Sequence, residues 1–191
     1  MGENFSKILS DSYDKNIENA NIIIGTCEYI VMPDILTNFE IDSIVCCLLG
    51  NQNEYLNIFM NELGKRHKKY YTVDSMEIND NFLHYPLEDN RDYKIPLFSK
   101  DVNIIYVIDW IHKKRCAGKN ILVHCDAGLT RSPTVVCAYL MKYGLDLKIP
   151  KKMSFDDAYN HIIKYRNDNR RKKYVDIGMF MYDLKLLEQK L

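Results

Sequence analysis

Ile121-Leu122-Val123-His124-Cys125-Asp126-Ala127-Gly128-Leu129-Thr130-Arg131-Ser132-Pro133-Thr134 is the stretch on which the reading of this chain turns. The aliphatic run Ile121 to Val123 has the character of a buried strand, and it stops at His124 and Cys125. Five residues separate Cys125 from Arg131. Ser132 then opens an apolar helical stretch reaching Tyr143, with Pro133 suited to its first turn and Gly144 to its end. Strand, tight loop and helix N-terminus together make a cradle for an anion. Backbone N–H groups of Asp126, Ala127, Gly128, Leu129, Thr130 and Arg131 can converge on one point, and the helix dipole adds positive potential there. Gly128 has no Cβ, so the loop can turn with positive φ. Arg131 adds a planar guanidinium that can grip two phosphate oxygens at once.

Cys125 stands at the base of this cradle. Helix N-termini and neighbouring cations favour a thiolate over a thiol. A thiolate directly behind a bound phosphate is placed to attack phosphorus and form a phosphocysteine. His-Cys-x-x-Gly-x-x-Arg-Ser-Pro-Thr, as it stands from His124 to Thr134, closely resembles the cysteine-dependent protein tyrosine phosphatases, above all their dual-specificity branch. The resemblance covers residues 20–190 loosely, and residues 83–89 and 121–140 closely. Strands followed by helices imply an α/β fold with a mainly parallel central sheet flanked by helices, the site lying at the carboxyl end of the nucleophile strand.

Asn81-Phe82-Leu83-His84-Tyr85-Pro86-Leu87-Glu88-Asp89 reads as a strand running into a loop. It is similar to the family segment that carries the general acid. An alkoxide or phenoxide leaves poorly, so a positioned carboxyl must donate a proton to it. Asp89 holds the matching position, four residues after Tyr85. Asp92 competes, because its distance to Cys125 is nearer the usual family spacing, and Glu88 stands third. The resemblance further implies that Ser132 hydrogen-bonds the sulfur and that His124 holds the thiolate in place through backbone contacts.

The 191 residues suffice for one well-buried core. We divide them into a polar N-terminal arm, 1–18, and one catalytic domain, 19–191. Hydrophobic residues make up 47% and charged residues 27%, ordinary values for a globular protein. Formal net charge is zero, so no global field draws the chain to nucleic acid or membrane. No run of about 18 apolar residues exists, and no signal-peptide core is present. Met1-Gly2-Glu3-Asn4-Phe5-Ser6 only superficially matches an acylation signal, since Glu3 is disfavoured there; acylation of Gly2 is not expected. The six cysteines show neither a disulfide framework nor zinc spacing. A reducing, intracellular compartment is the expectation, with no metal and no cofactor.

Along the chain, Ile22 to Ile24 before Gly25 reads as a first strand and Glu28–Asn38 as a short helix broken or begun near Pro33. Ile41 to Leu49 reads as a central strand ending at Gly50. Leu56, Phe59, Met60 and Leu63 recur at helical spacing. Basic runs stand at 65–69 and 170–173, the first a solvated face or a docking patch. Ser99 is placed to cap a helix to Cys116, with Val102, Ile105, Ile108 and Ile111 inward and Gly118 beyond its end. Cys137 reads as core packing. Ser154 is placed to cap a further helix, and the last runs from about Asp176 to Leu191.

What the resemblance implies is a protein phosphatase acting on phosphotyrosine and phosphoserine/threonine, with Cys125 as nucleophile, Arg131 as phosphate ligand and Asp89 as acid and then base. Its partner is a phosphoprotein substrate. Three alternatives share the loop: a docking pseudophosphatase, a phosphoinositide phosphatase and an RNA 5′-triphosphatase. Phosphoinositide enzymes usually place lysines inside the loop. The triphosphatases typically have Asn-Arg-Thr-Gly where this chain has Thr130-Arg131-Ser132-Pro133. Cys46 and Cys47 end a strand expected beside Cys125, and alternation lets only one of them face the loop.

Overall fold

The computed structural model describes residues 6–7, 20–28, 33–48, 80–89, 97–99, 102–147, 149, 151–167 and 175–191. Its strands in chain order are β1 (Ser6–Lys7), β2 (Ile22–Thr26), β3 (Ile41–Cys46), β4 (Phe82–His84), β5 (Phe98–Ser99), β6 (Val102–Asn103) and β7 (Asn120–Cys125). Its α-helices are α1 (Pro33–Asn38), α2 (Ile104–Cys116), α3 (Arg131–Tyr143), α4 (Phe155–Asn167) and α5 (Met181–Lys190). Among the described residues, five strands form one sheet in the order β1-β2-β7-β3-β4, and β5 and β6 make a separate antiparallel pair. Within the larger sheet, pairing is parallel throughout β2-β7-β3-β4 and β1 runs antiparallel to β2. The expected α/β, mainly parallel architecture is therefore what the chain adopts.

Parallel sheets bury both faces, which is why β2 and β7 read as continuous aliphatic runs instead of alternating ones. Side chains still alternate between two cores. Ile22, Ile24, Val45, Ile121, Val123 and Cys125 point to the larger one, under α2, α3, α4 and α5. Ile23, Ile44, Cys46 and Leu122 point to a smaller one shared with Leu36 of α1. Strand β7 occupies the middle of the sheet, paired with β2 on one side and β3 on the other.

Helix α3 packs against α2, α4, α5 and β7. Every residue from 131 to 141 is buried, so this helix is enclosed around its whole circumference. Cys137 lies in this core with its thiol pushed upward by burial, a packing group as expected. Gly144 closes the helix at φ +68, where a Cβ would stand 2.1 Å from the Lys151 carbonyl oxygen. That space, as well as the backbone angle, demands glycine. Asp157 N–H donates to Ser154 Oγ at 3.1 Å, the expected cap on α4, worth about 1 kcal/mol.

Several boundaries differ from the sequence reading. The strand β3 stops at Cys46, four residues short of Gly50, although Cys47 N–H still donates to His124 O at 2.8 Å. Helix α2 starts at Ile104 and not at Ser99. Ser99 pairs with Val102 in the β5-β6 ribbon, and Asn103 supplies the cap by accepting Ile105 N–H at 2.9 Å. The buried face is accordingly Ile104, Val107, Ile108 and Ile111, with Val102 in a strand. Helix α3 begins one residue early, at Arg131. The last helix begins at Met181, after a 3-10 turn over Gly178–Phe180, because the Asp176 carboxylate accepts Gly178 N–H and turns the chain there. Within the arm, Ser6 and Lys7 pair with Ile24 and Ile23. The short helix begins at Pro33. The helical stripe 56–63, both basic runs, Gly2 and Asp92 lie outside the described residues.

Candidate active site

Cys125 ends β7, residues 126–130 form the loop, and Arg131 opens α3. Cys125 is buried, and its sulfur accepts two hydrogen bonds, from Gly128 N–H at 3.2 Å and from Ser132 Oγ at 3.3 Å. Gly128 takes φ +68, the left-handed angle that aims its N–H back at the sulfur. Loop carbonyls are occupied elsewhere. Asp126 O accepts Cys27 N–H at 3.2 Å, Leu129 O accepts Asp176 N–H at 3.0 Å, and Thr130 O accepts Thr134 N–H and Oγ. With these carbonyls tied outward, the concave side is left to amides. No side chain caps the start of α3, so its first N–H groups keep their capacity for an anion.

Arg131 is buried, and its Nε lies 3.5 Å from Asp89 Oδ2. Asp89 itself is 44% exposed, so the pair adds little stability and acts by position. It holds a carboxylate beside the guanidinium. A cleft of about 500 Å³ opens alongside, lined by Asp89, Thr130, Asp176, Gly178 and Met179. Glu88 is half-buried next to Asp89. Asp126 is exposed at the rim, with its carboxylate accepting from Cys27 Sγ at 3.3 Å. Ala127 and Leu129 are half-buried in the same turn.

His124 lies on the opposite face of β7 from Cys125, opposite Gly25 on β2 and Cys46 on β3. Glycine on one side leaves room for the imidazole. Burial pushes the ring down to about 3, against the Cys125 backbone, which favours its charged form. At neutral pH the ring is uncharged, and its peptide carbonyl ties β7 to Cys47. The register also places Thr26 of β2 directly beside Cys125. Cys47 follows the Cys46–His124 pair, so it flanks Cys125 on the other side. Cys46 is pushed up to about 12 by burial, and Cys47 is also well above the ordinary thiol range. Among the described residues, no group of three His, Cys, Asp or Glu side chains is placed to hold a metal ion.

The family model for the dual specificity phosphatase catalytic domain matches residues 23–190. The chain belongs to that family. The tyrosine-protein phosphatase vhp-1 of Caenorhabditis elegans is 36% identical over 87 residues, covering 45% of this chain and 11% of that protein. Human dual specificity protein phosphatase 5 is 35% identical over 88 residues, covering 44% and 20%. The matched part is thus a fifth or less of those relatives' length. Among solved structures, PTPMT1 in complex with PI(5)P has a TM-score of 0.65 at 16% identity, over 98% of this chain and 96% of that one. This likeness concerns the fold.

The structure brings Cys125, Gly128, Arg131, Ser132 and Asp89 together and sets His124 behind them. Sequence reasoning missed the Asp176–Leu129 clamp on the loop. It also missed Thr26 beside Cys125, and it left open Cys46 or Cys47 on the other side, where the strand register selects Cys47. No helix among the described residues is long and apolar enough to cross a membrane.

Proposed function

We propose that this chain is a protein phosphatase that hydrolyses phosphotyrosine and phosphoserine/threonine through a phosphocysteine on Cys125. The observation that carries the reading is a buried cysteine sulfur accepting two hydrogen bonds at the floor of an amide-lined loop, with the Arg131–Asp89 pair at its edge. The phosphoryl group enters the loop, and Arg131 with the loop amides takes its equatorial oxygens. The Cys125 sulfur attacks phosphorus in line with the leaving oxygen, which takes its proton from Asp89. Asp89 then removes a proton from water, whose oxygen attacks phosphorus while sulfur departs as thiolate. Ser132 and Gly128 hold that departing charge. A reducing compartment suits such a thiolate.

Phosphoinositides fit less well, since the loop carries no lysine and the exposed Asp126 repels additional phosphates. Turnover of phosphotyrosyl, phosphoseryl and phosphothreonyl peptides is to be compared with a phosphoinositide and an RNA 5′-triphosphate, using Cys125→Ser as background. The peptides are expected to be hydrolysed in preference. Turnover of the lipid or RNA alone overturns the substrate class. Binding without turnover of any of them makes the chain a docking module.

Oxidation supplies a separate prediction. Mild peroxide converts a thiolate to a sulfenic acid, and a second thiol displaces water from it to form a disulfide. Cys47 shares the Cys125 face, whereas Cys46 faces the smaller core. Neighbouring strands lie about 4.8 Å apart, inside the reach of a disulfide. Because burial keeps the Cys47 thiol protonated, closure should be slow. Peptide mass spectrometry should find Cys125 linked to Cys47, and Cys47→Ser should recover less activity after reduction than Cys46→Ser. Linkage to Cys46, or to neither, counts against the register argument.

A further inference from the structure

Thr26 is 4% exposed and ends β2 opposite Cys125. Alternation along β2 sends its side chain to the same face as Ile22 and Ile24, the face on which the Cys125 sulfur lies. Its hydroxyl is fully buried and makes no hydrogen bond. Buried hydroxyls are nearly always paired, so an exception beside a reacting sulfur asks for an explanation. The sulfur accepts from Gly128 above and Ser132 on α3, and its β2 side faces the threonine. A thiolate can take a third donor. Strands at about 4.8 Å spacing place the two side chains within reach, and rotation about the threonine Cα–Cβ bond moves the hydroxyl between staggered positions.

We propose that Thr26 donates a hydrogen bond to the Cys125 thiolate, in the resting protein and again when sulfur leaves phosphorus, making it a third thiolate-holding residue from outside the loop. A neutral thiol sulfur is a weak acceptor, so such a donor favours the charged form selectively. This rests on Cys125 being the nucleophile of the proposed function, whose own failure would appear as undiminished turnover in Cys125→Ser.

The test is alkylation of Cys125 by iodoacetamide at pH 6 and at pH 9, followed by mass spectrometry of its peptide in the whole chain. Hydrogen bonds to charged groups justify an expected slowing of about tenfold at pH 6 in Thr26→Val, with rates converging at pH 9. Thr26→Ser, which keeps the hydroxyl, should alkylate at close to the unmodified protein's rate. For turnover, kcat should fall in Thr26→Val with KM little changed. If valine cannot be accommodated, Thr26→Ala reads the same loss with less bulk. Equal alkylation of Thr26→Val and the unmodified chain at pH 6 overturns the proposal. So does equal slowing in Thr26→Ser, which would assign the effect to disturbed packing and not to the hydroxyl.

Discussion

Cys125→Ser is expected to abolish turnover, by a factor on the order of 10⁴ or more, while phosphate or vanadate still binds. A hydroxyl in that position is a poor nucleophile with no base beside it. The loop, however, keeps its other parts. Gly128 still turns at positive φ, Arg131 still opens α3, and the carbonyls of Asp126, Leu129 and Thr130 remain tied outward. Binding and chemistry should therefore separate cleanly. Arg131→Lys should fail as well, by about 10²–10³-fold, because a point charge cannot reproduce the planar fork. The arginine is buried, and the shorter cation would lose its place beside Asp89. Steady-state assays with an aryl phosphate, paired with vanadate titration, check both substitutions. A Cys125→Ser variant with full activity, or an absolute need for a divalent metal, would falsify the mechanism.

Asp89→Asn should lower kcat/KM, which reports the first step, by about 10²–10⁴-fold for alkyl phosphates and much less for an activated aryl phosphate. The contrast follows from the leaving group: a stabilised phenoxide departs without help, whereas an alkoxide needs a proton. Asparagine keeps the size of Asp89 and removes only the transferable proton. Loss of that proton should also flatten the alkaline limb of the pH–rate profile. Asp89 lies in contact with Arg131, the group expected to carry the phosphate, which places the carboxyl near the departing oxygen. The leaving-group dependence of kcat/KM should be measured for Asp89→Asn and Asp92→Asn side by side. If the Asp92 variant alone shows the dependence, the acid has been assigned to the wrong carboxylate.

How much of the fold and site is legible in the sequence follows from how local each feature is. The loop from Cys125 to Arg131 combines a strand end, a glycine turn and a helix start within one short window, and each imposes its own residue type. Gly144 was equally legible, since a positive φ after a helix asks for glycine. Boundaries set by competition were harder. Ser99 and Asn103 are both competent caps, and the ribbon pairing Ser99 with Val102 decides between them. Asp176 can begin a helix, but its carboxylate bonds Gly178 N–H and its own N–H bonds the loop. Neither partner can be named from local pattern. The row Thr26–Cys125–Cys47 depends on the registers of three strands distant in the chain, a property of topology. Sequence limited the choice to Cys46 or Cys47, and the register selected between them.

The most direct measurement is capture of the covalent intermediate. Asp89→Asn, given an activated aryl phosphate, should pass the first step readily and stall at hydrolysis, where a base is required. Rapid denaturation during turnover and peptide mass spectrometry should then find one phosphoryl group on the Cys125 peptide, and none in Cys125→Ser. Sustained turnover with no phosphoryl group on Cys125, or with the group on another residue, would contradict the account.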